Sequence, residues 1–155
     1  MDLSGKKTAI IMITTALWLI ITFLGWNNAY LVSMYLGVVL MLLYMMLGTA
    51  RQGKISKKLF FYCLFPWAIL WIVSFSLADY YANLFAGVVP TFTVLGFHPS
   101  FAATVFGYWI GGMLTLTLMY MTFKDEWMSQ EYWDDFTKKI KEIDKIEEPE
   151  EGGAL

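Results

Sequence analysis

The chain has 155 residues, of which 58% are hydrophobic and 15% are charged, whereas soluble domains average about 45–50% and about 25%. This composition excludes an ordinary soluble globule and predicts an integral membrane protein. A single cysteine and a single histidine exclude a disulfide framework and argue against an all-protein zinc or haem site.

Charge divides the chain into two unlike parts. Positions 1–123 contain six Lys or Arg and two Asp, a net charge of +4, whereas positions 124–151 contain five Lys and eleven Asp or Glu, a net charge of −6. The total of −2 offers no concentrated basic surface, so nucleic acid is not expected as a partner. We therefore predict a membrane domain over 1–123, followed by an acidic segment.

Four stretches free of Lys, Arg, Asp and Glu are long enough to cross a bilayer, whose core of about 30 Å requires about 20 helical residues. They are residues 8–25, 31–48, 59–78 and 101–123. Because lipid offers the backbone no hydrogen bonds, each stretch is predicted to be helical. The predicted fold class is an all-α membrane protein with four transmembrane helices, the first of them retained rather than cleaved as a signal peptide.

Basic residues flank these stretches only at the ends that would lie on one side of the membrane. A pair of Lys precedes the first stretch, residues 51–58 contain four Lys or Arg, and Lys124 follows the fourth stretch. Residues 26–30 carry no charge, and residues 79–100 carry one acid. Since Lys and Arg near span ends are retained in the cytoplasm, we predict a multi-pass protein of an inner or plasma membrane with both termini cytoplasmic.

The four stretches form two hairpins with similar residues at corresponding places. Residues 17–23 resemble residues 70–75, and residues 35–37 resemble residues 109–111. The hairpins would both enter the membrane from the cytoplasm. The sequence leaves open whether they are parallel repeats or similar by chance.

The fourth stretch carries a stripe of small residues at every fourth position: Ala103, Gly107, Gly111 and Thr115. Such positions share one helical face and allow another backbone to approach closely, which drives helix association in lipid. We predict that this stripe packs against a helix. The sequence leaves open whether that helix belongs to this chain or to a partner.

Asp79 is the only acid between positions 3 and 124. It follows Ser74 and Ser76, so contact with sodium or a transferred proton is one interpretation of its role. Counted from Leu59, however, it stands about 30 Å along a helix, at the far membrane interface. This depth favours the alternative interpretation, a solvated end of the third span.

Three further features accompany the second hairpin. Pro66 predicts a kink or a local widening one to two turns into the third span. The apolar segment 87–100 is predicted to fold back onto the outer span ends or onto a partner. Within it, His98 is interpreted as structural rather than as a metal ligand, and Ser100 as the N-cap of the fourth span.

The acidic segment contains one apolar stripe at spacings of three, four and three: Trp133, Phe136, Ile140 and Ile143. This spacing predicts a cytoplasmic amphipathic helix over 124–146. Its acidic polar face disfavours anionic lipid, so the stripe is predicted to bind a larger membrane subunit. A second copy of the helix, giving a homo-oligomer, and the lipid bilayer are the alternatives. Residues 147–155 are predicted to be disordered.

The sequence contains no nucleophile with a paired base, no phosphate loop and no carboxylate pair within the spans. Four short spans also leave little room for an alternating-access pathway. We therefore predict a non-enzymatic accessory subunit of a membrane complex, without catalytic residues or cofactors. Two alternatives stay open: a self-sufficient homo-oligomeric channel or transporter, and the membrane anchor subunit of a redox complex.

The second half carries a further pattern. Its parts are Trp67-Ala68-Ile69-Leu70-Trp71, Gly96-Phe97-His98-Pro99-Ser100-Phe101 and Met121-Thr122-Phe123-Lys124-Asp125. Over residues 66–126 this pattern resembles the small two-helix membrane subunits that accompany sodium:solute symporters such as pantothenate permease. The resemblance implies that the chain stabilises or regulates a larger sodium-coupled transporter, which itself binds substrate and sodium. His98 interrupts the Gly-Phe-Pro element of that family, and residues 1–58 have no counterpart there unless they are a duplicated hairpin.

Overall fold

The computed structural model describes residues 2–3, 5–50 and 53–147. Across these residues the regular structure is helical, and β pairing is limited to two isolated bridges. The helices are α1 (Lys7–Trp26), α2 (Tyr30–Thr49), α3 (Lys57–Leu84), α4 (Pro99–Thr122), α5 (Lys124–Trp127) and α6 (Gln130–Glu147). The first four are long and apolar enough to cross a membrane. The predicted all-helical class with four such helices is therefore confirmed.

The end of α3 differs from its prediction. α1, α2 and α4 begin and end within two residues of the predicted limits, but α3 continues to Leu84 rather than ending at position 78. The Asn83 side chain donates to the backbone and side-chain oxygens of Asp79, at 3.0 and 3.1 Å. Falling hydropathy marks the end of an apolar run, whereas helical hydrogen bonding continues through these polar residues. Asp79 therefore lies inside the last turns of α3, not at its end.

The helices pack in chain order, with α3 in the middle. α1 packs on α2, α2 on α3, and α3 on α4. Accordingly, 33% of the most apolar 18-residue stretch of α3 is buried, compared with 11% of the corresponding stretch of α1. We call the end of the bundle that carries the α1–α2 and α3–α4 connections the loop end, and the opposite end, which carries the α2–α3 connection and α5, the tail end.

The main hydrophobic cluster lies toward the tail end. Its buried members come from the N-terminal segment, α1, α2, the α2–α3 connection and α3: Leu3, Ile10, Met46, Ile55, Leu59, Cys63 and Leu64. The backbone N–H of Leu3 donates to the Gly53 carbonyl at 2.6 Å. The Trp127 indole N–H donates to the Tyr120 carbonyl at 3.0 Å. These bonds hold the N-terminal segment against the α2–α3 connection and α5 against α4.

Both α3 and α4 contain π-helical turns, at Phe60–Leu64 and Ala103–Gly111. The segment in α3 ends two residues before Pro66. Because proline lacks an N–H and crowds the preceding turn, the backbone upstream adopts the wider hydrogen-bonding pattern. This is the local widening that Pro66 predicts.

The predicted single helix over 124–146 is wrong in one respect, because the chain breaks it into α5 and α6. Met128 is extended, with φ −141° and ψ 81°. The Ser129 hydroxyl accepts from the Tyr132 N–H at 3.4 Å, and the Ser129 carbonyl from the Trp133 N–H at 3.0 Å. Ser129 thus starts a new helix. Residues 147–155 are the segment predicted to be disordered. Its first residue, Glu147, is the last residue of α6, and residues 148–155 lie outside the described residues.

Candidate functional site

A groove of about 580 Å³ lies between α2 and α4 at the loop end, with α3 along its base. Toward the tail end, Leu42 of α2 and Leu116 of α4 both pack against the buried cluster of Val38, Trp67 and Ala68. Toward the loop end, residues of α2, α3 and α4 line the groove together. We refer to it as the loop-end groove.

One side of the loop-end groove is aromatic. The ring of Tyr108 on α4 lies 4.2 Å from the ring centroid of Trp71 and 5.2 Å from that of Phe75, both on α3. Trp71 and Phe75 are themselves 6.1 Å apart. These separations are typical of packed aromatic pairs. The α2 side is aliphatic and sulfur-containing, with Met34, Val38 and Met41.

The loop-end groove carries a single ionised group, Asp79, among its described lining residues. Its carboxylate is exposed and accepts a hydrogen bond from Asn83. Three hydroxyl-bearing residues, Tyr30, Ser100 and Thr104, belong to the same lining. The groove is therefore an apolar and aromatic cleft with one negative charge.

The serines that precede Asp79 in sequence point to other helices. The Ser74 hydroxyl donates to the Leu70 carbonyl at 2.7 Å, and its side chain lies beneath Gly107 of α4. The Ser76 hydroxyl is bonded to the Tyr35 hydroxyl of α2 at 2.6 Å. These bonds involve neither oxygen of the Asp79 carboxylate. The structure thus does not gather the hydroxyl–carboxylate cluster that the sequence interpretation considered.

The stripe of small residues on α4 faces α3 of the same chain at its two glycines. A Cβ on Gly107 would lie 2.9 Å from the Cβ of Ser74, and one on Gly111 would lie 3.1 Å from a methyl carbon of Leu70. Both distances are too short for ordinary contact. Ala103 lines a cleft on this α3–α4 interface, and the Thr115 hydroxyl donates to the Gly111 carbonyl at 2.6 Å. The neighbouring Gly112 lies against Trp71.

The apolar stripe of α6 is uncovered. Trp133, Phe136, Ile140 and Ile143 are 40–50% exposed. They lie outside both hydrophobic clusters of the described chain, and the ring contact between Trp133 and Phe136, at 5.9 Å, lies within the stripe. The helix forms as the spacing predicts, and its apolar face is left for a contact outside the bundle.

The segment before α4 folds back on the bundle through its aromatic residues. Phe92 packs on Tyr81 and on the buried Phe85, at centroid distances of 5.8 and 5.9 Å. A tight turn with positive φ at Leu95 and Gly96 brings Phe97 within 6.1 Å of Phe106 on α4. This agrees with the first of the two predicted placements.

The assignment of Ser100 as N-cap of the fourth span is wrong. The cap residue is His98, whose ring nitrogen Nδ1 accepts from the backbone N–H of Ser100 at 3.2 Å, and Pro99 is the first helical residue. Proline suits this first position because its missing N–H would be unpaired there anyway. The His98 ring also meets Phe85 edge-on at 5.9 Å. His98 thus stabilises the local structure at the start of α4.

Glu126 of α5 is bound to the start of α3. A hydrogen bond with the Ser56 side chain and then the charge of Lys58, at 3.3 Å, hold the pKa of Glu126 below its ordinary value. This contact joins α5 to α3 at the tail end. In the part of the chain that the structure describes, no group of three His, Cys, Asp or Glu residues is placed to hold a metal ion.

Comparison with known proteins adds no assignment. No protein-family model, no curated protein and no solved structure matches the chain.

Proposed function

We propose that this chain is a small non-catalytic accessory subunit of a multisubunit membrane complex. The observation that carries the proposal is the uncovered apolar stripe of α6, whose four large side chains are 40–50% exposed. An amphipathic helix gains its stability by burying such a face, and contiguous exposed apolar residues of this kind mark interaction sites.

The charge of α6 favours a protein as the partner. Residues 130–147 contain six Asp or Glu and four Lys, a net charge of −2. Helices that lie on membranes usually have a basic polar face, and the cytoplasmic leaflet is negatively charged. A protein surface with an apolar groove and a basic rim complements α6 better than lipid does.

A cytoplasmic position for α6 follows from the basic residues around it. The structure gathers at the tail end the lysines that flank the spans: Lys6, Lys7, Lys54, Lys57, Lys58 and Lys124. Under the positive-inside rule this end faces the cytoplasm. We therefore propose four membrane crossings with both termini inside, and an α6 that binds a cytoplasmic surface of the larger subunit.

The proposed complex is a sodium-coupled solute transporter, as the resemblance of residues 66–126 implies. The residues that carry the resemblance are Trp67 and Trp71 on α3, residues 96–101, which lead into α4 and form its start, and Lys124, which begins α5. In this proposal the larger subunit binds sodium and substrate. Whether the two hairpins are repeats stays a prediction.

Co-purification from native membranes tests the proposal. The tagged full-length chain, extracted in mild detergent, is expected to retain a larger multi-span protein and sodium-dependent uptake after joint reconstitution. The double variant Trp133→Ser/Phe136→Ser should retain at least about tenfold less partner, because buried aromatic anchors dominate interface energies. The matched control, Lys138→Ser/Glu142→Ser, changes the opposite face without changing net charge and should retain it.

Four results would overturn the proposal. Equal retention by both double variants would show that the stripe is not the binding face. Dimers of the purified chain alone that the stripe variant abolishes would favour self-association, and solute flux by the chain reconstituted alone would favour a self-sufficient channel. A partner that carries a visible cofactor would instead favour the redox anchor.

A further inference from the structure

The loop-end groove has the size and composition of a small-molecule site. Its volume of about 580 Å³ lies within the range of about 300–1,000 Å³ that is typical of ligand pockets, which are mostly apolar with a few polar groups. Here the apolar surface comes from Met34, Val38 and Met41 on α2 and from the aromatic rings on the other side. A hydrophobic body in this groove would contact α2, α3 and α4.

The charge of the groove determines whether it favours a positively or a negatively charged ligand. Asp79 is the one ionised lining residue, and no Lys or Arg accompanies it in the described lining. A carboxylate at the edge of an apolar groove attracts a cation, and the attraction is stronger there than in bulk water because the surroundings are less polar. Asn83 donates one hydrogen bond to the carboxylate, which has capacity for several. The groove is therefore complementary to a cation and not to an anion.

The aromatic side of the groove strengthens this preference. Trp71, Phe75 and Tyr108 lie within about one ring diameter of one another, at 4.2 to 6.1 Å, and aromatic faces attract organic cations. Thr104 and Tyr108 enter the groove from the π-helical segment of α4. Such wide turns occur frequently at functional sites.

We infer that the loop-end groove binds an amphipathic organic cation. The hydrophobic body of the ligand lies between α2 and α4 on the aromatic side chains, and its positive charge lies near Asp79. This inference concerns the opposite end of the bundle from α6 and stands independently of the proposed accessory role.

Direct binding to the full-length chain in lipid nanodiscs tests the inference. The probe is the tetraphenylphosphonium cation, and tetraphenylborate, an anion of almost the same shape, is the charge control. We expect saturable binding of about one cation per chain and no saturable binding of the anion. Asp79→Asn should weaken cation binding by about tenfold, the scale of one charge-assisted contact. Asp125→Asn, which removes an acid at the tail end, should leave it unchanged.

A second pair of variants tests the location. Gly37 lines the groove, and a Cβ there meets nothing within 4 Å. Gly37→Leu should therefore fill the groove without disturbing the packing and abolish saturable binding. Gly48→Leu is the control, because Gly48 lies on the same helix, has the same open surroundings and is not a lining residue. Thermal unfolding of each variant establishes that it is folded.

The results that would overturn the inference are distinct. Equal saturable binding of cation and anion would show a neutral apolar site, such as one for an acyl chain or a partner helix. Equal cation binding by Asp79→Asn and Asp125→Asn would show that Asp79 does not supply the charge. Cation binding that survives in a folded Gly37→Leu variant would place the site elsewhere.

Discussion

The contact between Gly107 and Ser74 sets how closely α4 approaches α3, so one added methyl group should separate the two helices. A Cβ on Gly107 overlaps the Ser74 hydroxyl oxygen and lies 2.9 Å from the Ser74 Cβ. Ser74 is buried, and its hydroxyl is bonded to the Leu70 carbonyl. The Cβ is fixed to the backbone and cannot rotate away. Gly107→Ala must therefore move the helix itself.

The expected magnitude follows from this distance. Carbon atoms prefer separations of about 3.5–4.0 Å, so the contact of 2.9 Å must open by about 0.6–1.1 Å. Overpacking of this kind costs about 1–3 kcal/mol. Replacing a helical glycine by alanine also gains up to about 1 kcal/mol from helix propensity. Gly37→Ala has the same gain without the clash, because its Cβ meets nothing within 4 Å. The difference between the two variants isolates the crowding, at about 2 kcal/mol.

The assay uses the single cysteine of the chain. Cys63 is fully buried in the tail-end cluster, so a maleimide dye that fluoresces on reaction with a thiol reports unfolding in detergent. For a chain of this length, about 2 kcal/mol corresponds to about 4–8 °C in the unfolding midpoint. We expect Gly107→Ala to melt lower than Gly37→Ala by that amount.

A rescue variant makes this prediction specific to the contact. Ser74→Gly removes both side-chain atoms that the new methyl group meets. In the double variant Gly107→Ala/Ser74→Gly we expect a favourable coupling of at least about 1 kcal/mol, as for residues in direct contact. An unfolding midpoint for Gly107→Ala that matches Gly37→Ala, or an absence of coupling, would refute the close approach of α4 to α3.

Two further predictions concern contacts outside the spans. Because the Ser56 hydrogen bond and Lys58 hold the pKa of Glu126 low, the contact stabilises the fold above the ordinary pKa of about 4.3 and is lost as pH falls through the lowered folded-state value. Glu126→Gln should therefore melt below the wild type at pH 7 and converge with it in acid, and a constant difference would contradict this. Since His98 caps α4, His98→Ala should cost about 1 kcal/mol and His98→Asn much less. Equal midpoints for these two variants would show that the cap is not stabilising.

The spans are predictable from sequence because their cause is local. A backbone surrounded by lipid must satisfy its own hydrogen bonds, so an apolar run of sufficient length forms a helix whatever it later contacts. The same holds for the spacing of Trp133, Phe136, Ile140 and Ile143, which fixes one helical face. The widened turn before Pro66 is local as well, because it follows from a missing N–H.

The ends of elements were less predictable because individual side-chain hydrogen bonds decide them. Asn83 continues α3 past Asp79, His98 rather than Ser100 caps α4, and Ser129 starts α6 after a break. Each of these bonds competes with a similar one a residue or two away. Hydropathy and residue spacing do not indicate which of the competing hydrogen bonds forms.

By itself the sequence determined that the chain has four apolar helices, the limits of three of them to within two residues, and which residues share a face. Only the tertiary structure decided what those faces meet: that Gly107 and Gly111 approach α3 of the same chain, and that Asp79 borders an aromatic groove with Trp71 and Tyr108 rather than a serine cluster. The physical reason is that helix crossing depends on how side chains far apart in sequence interlock. The groove is lined by residues of three helices, from Tyr30 on α2 to Tyr108 on α4, and no local pattern specifies that they come together.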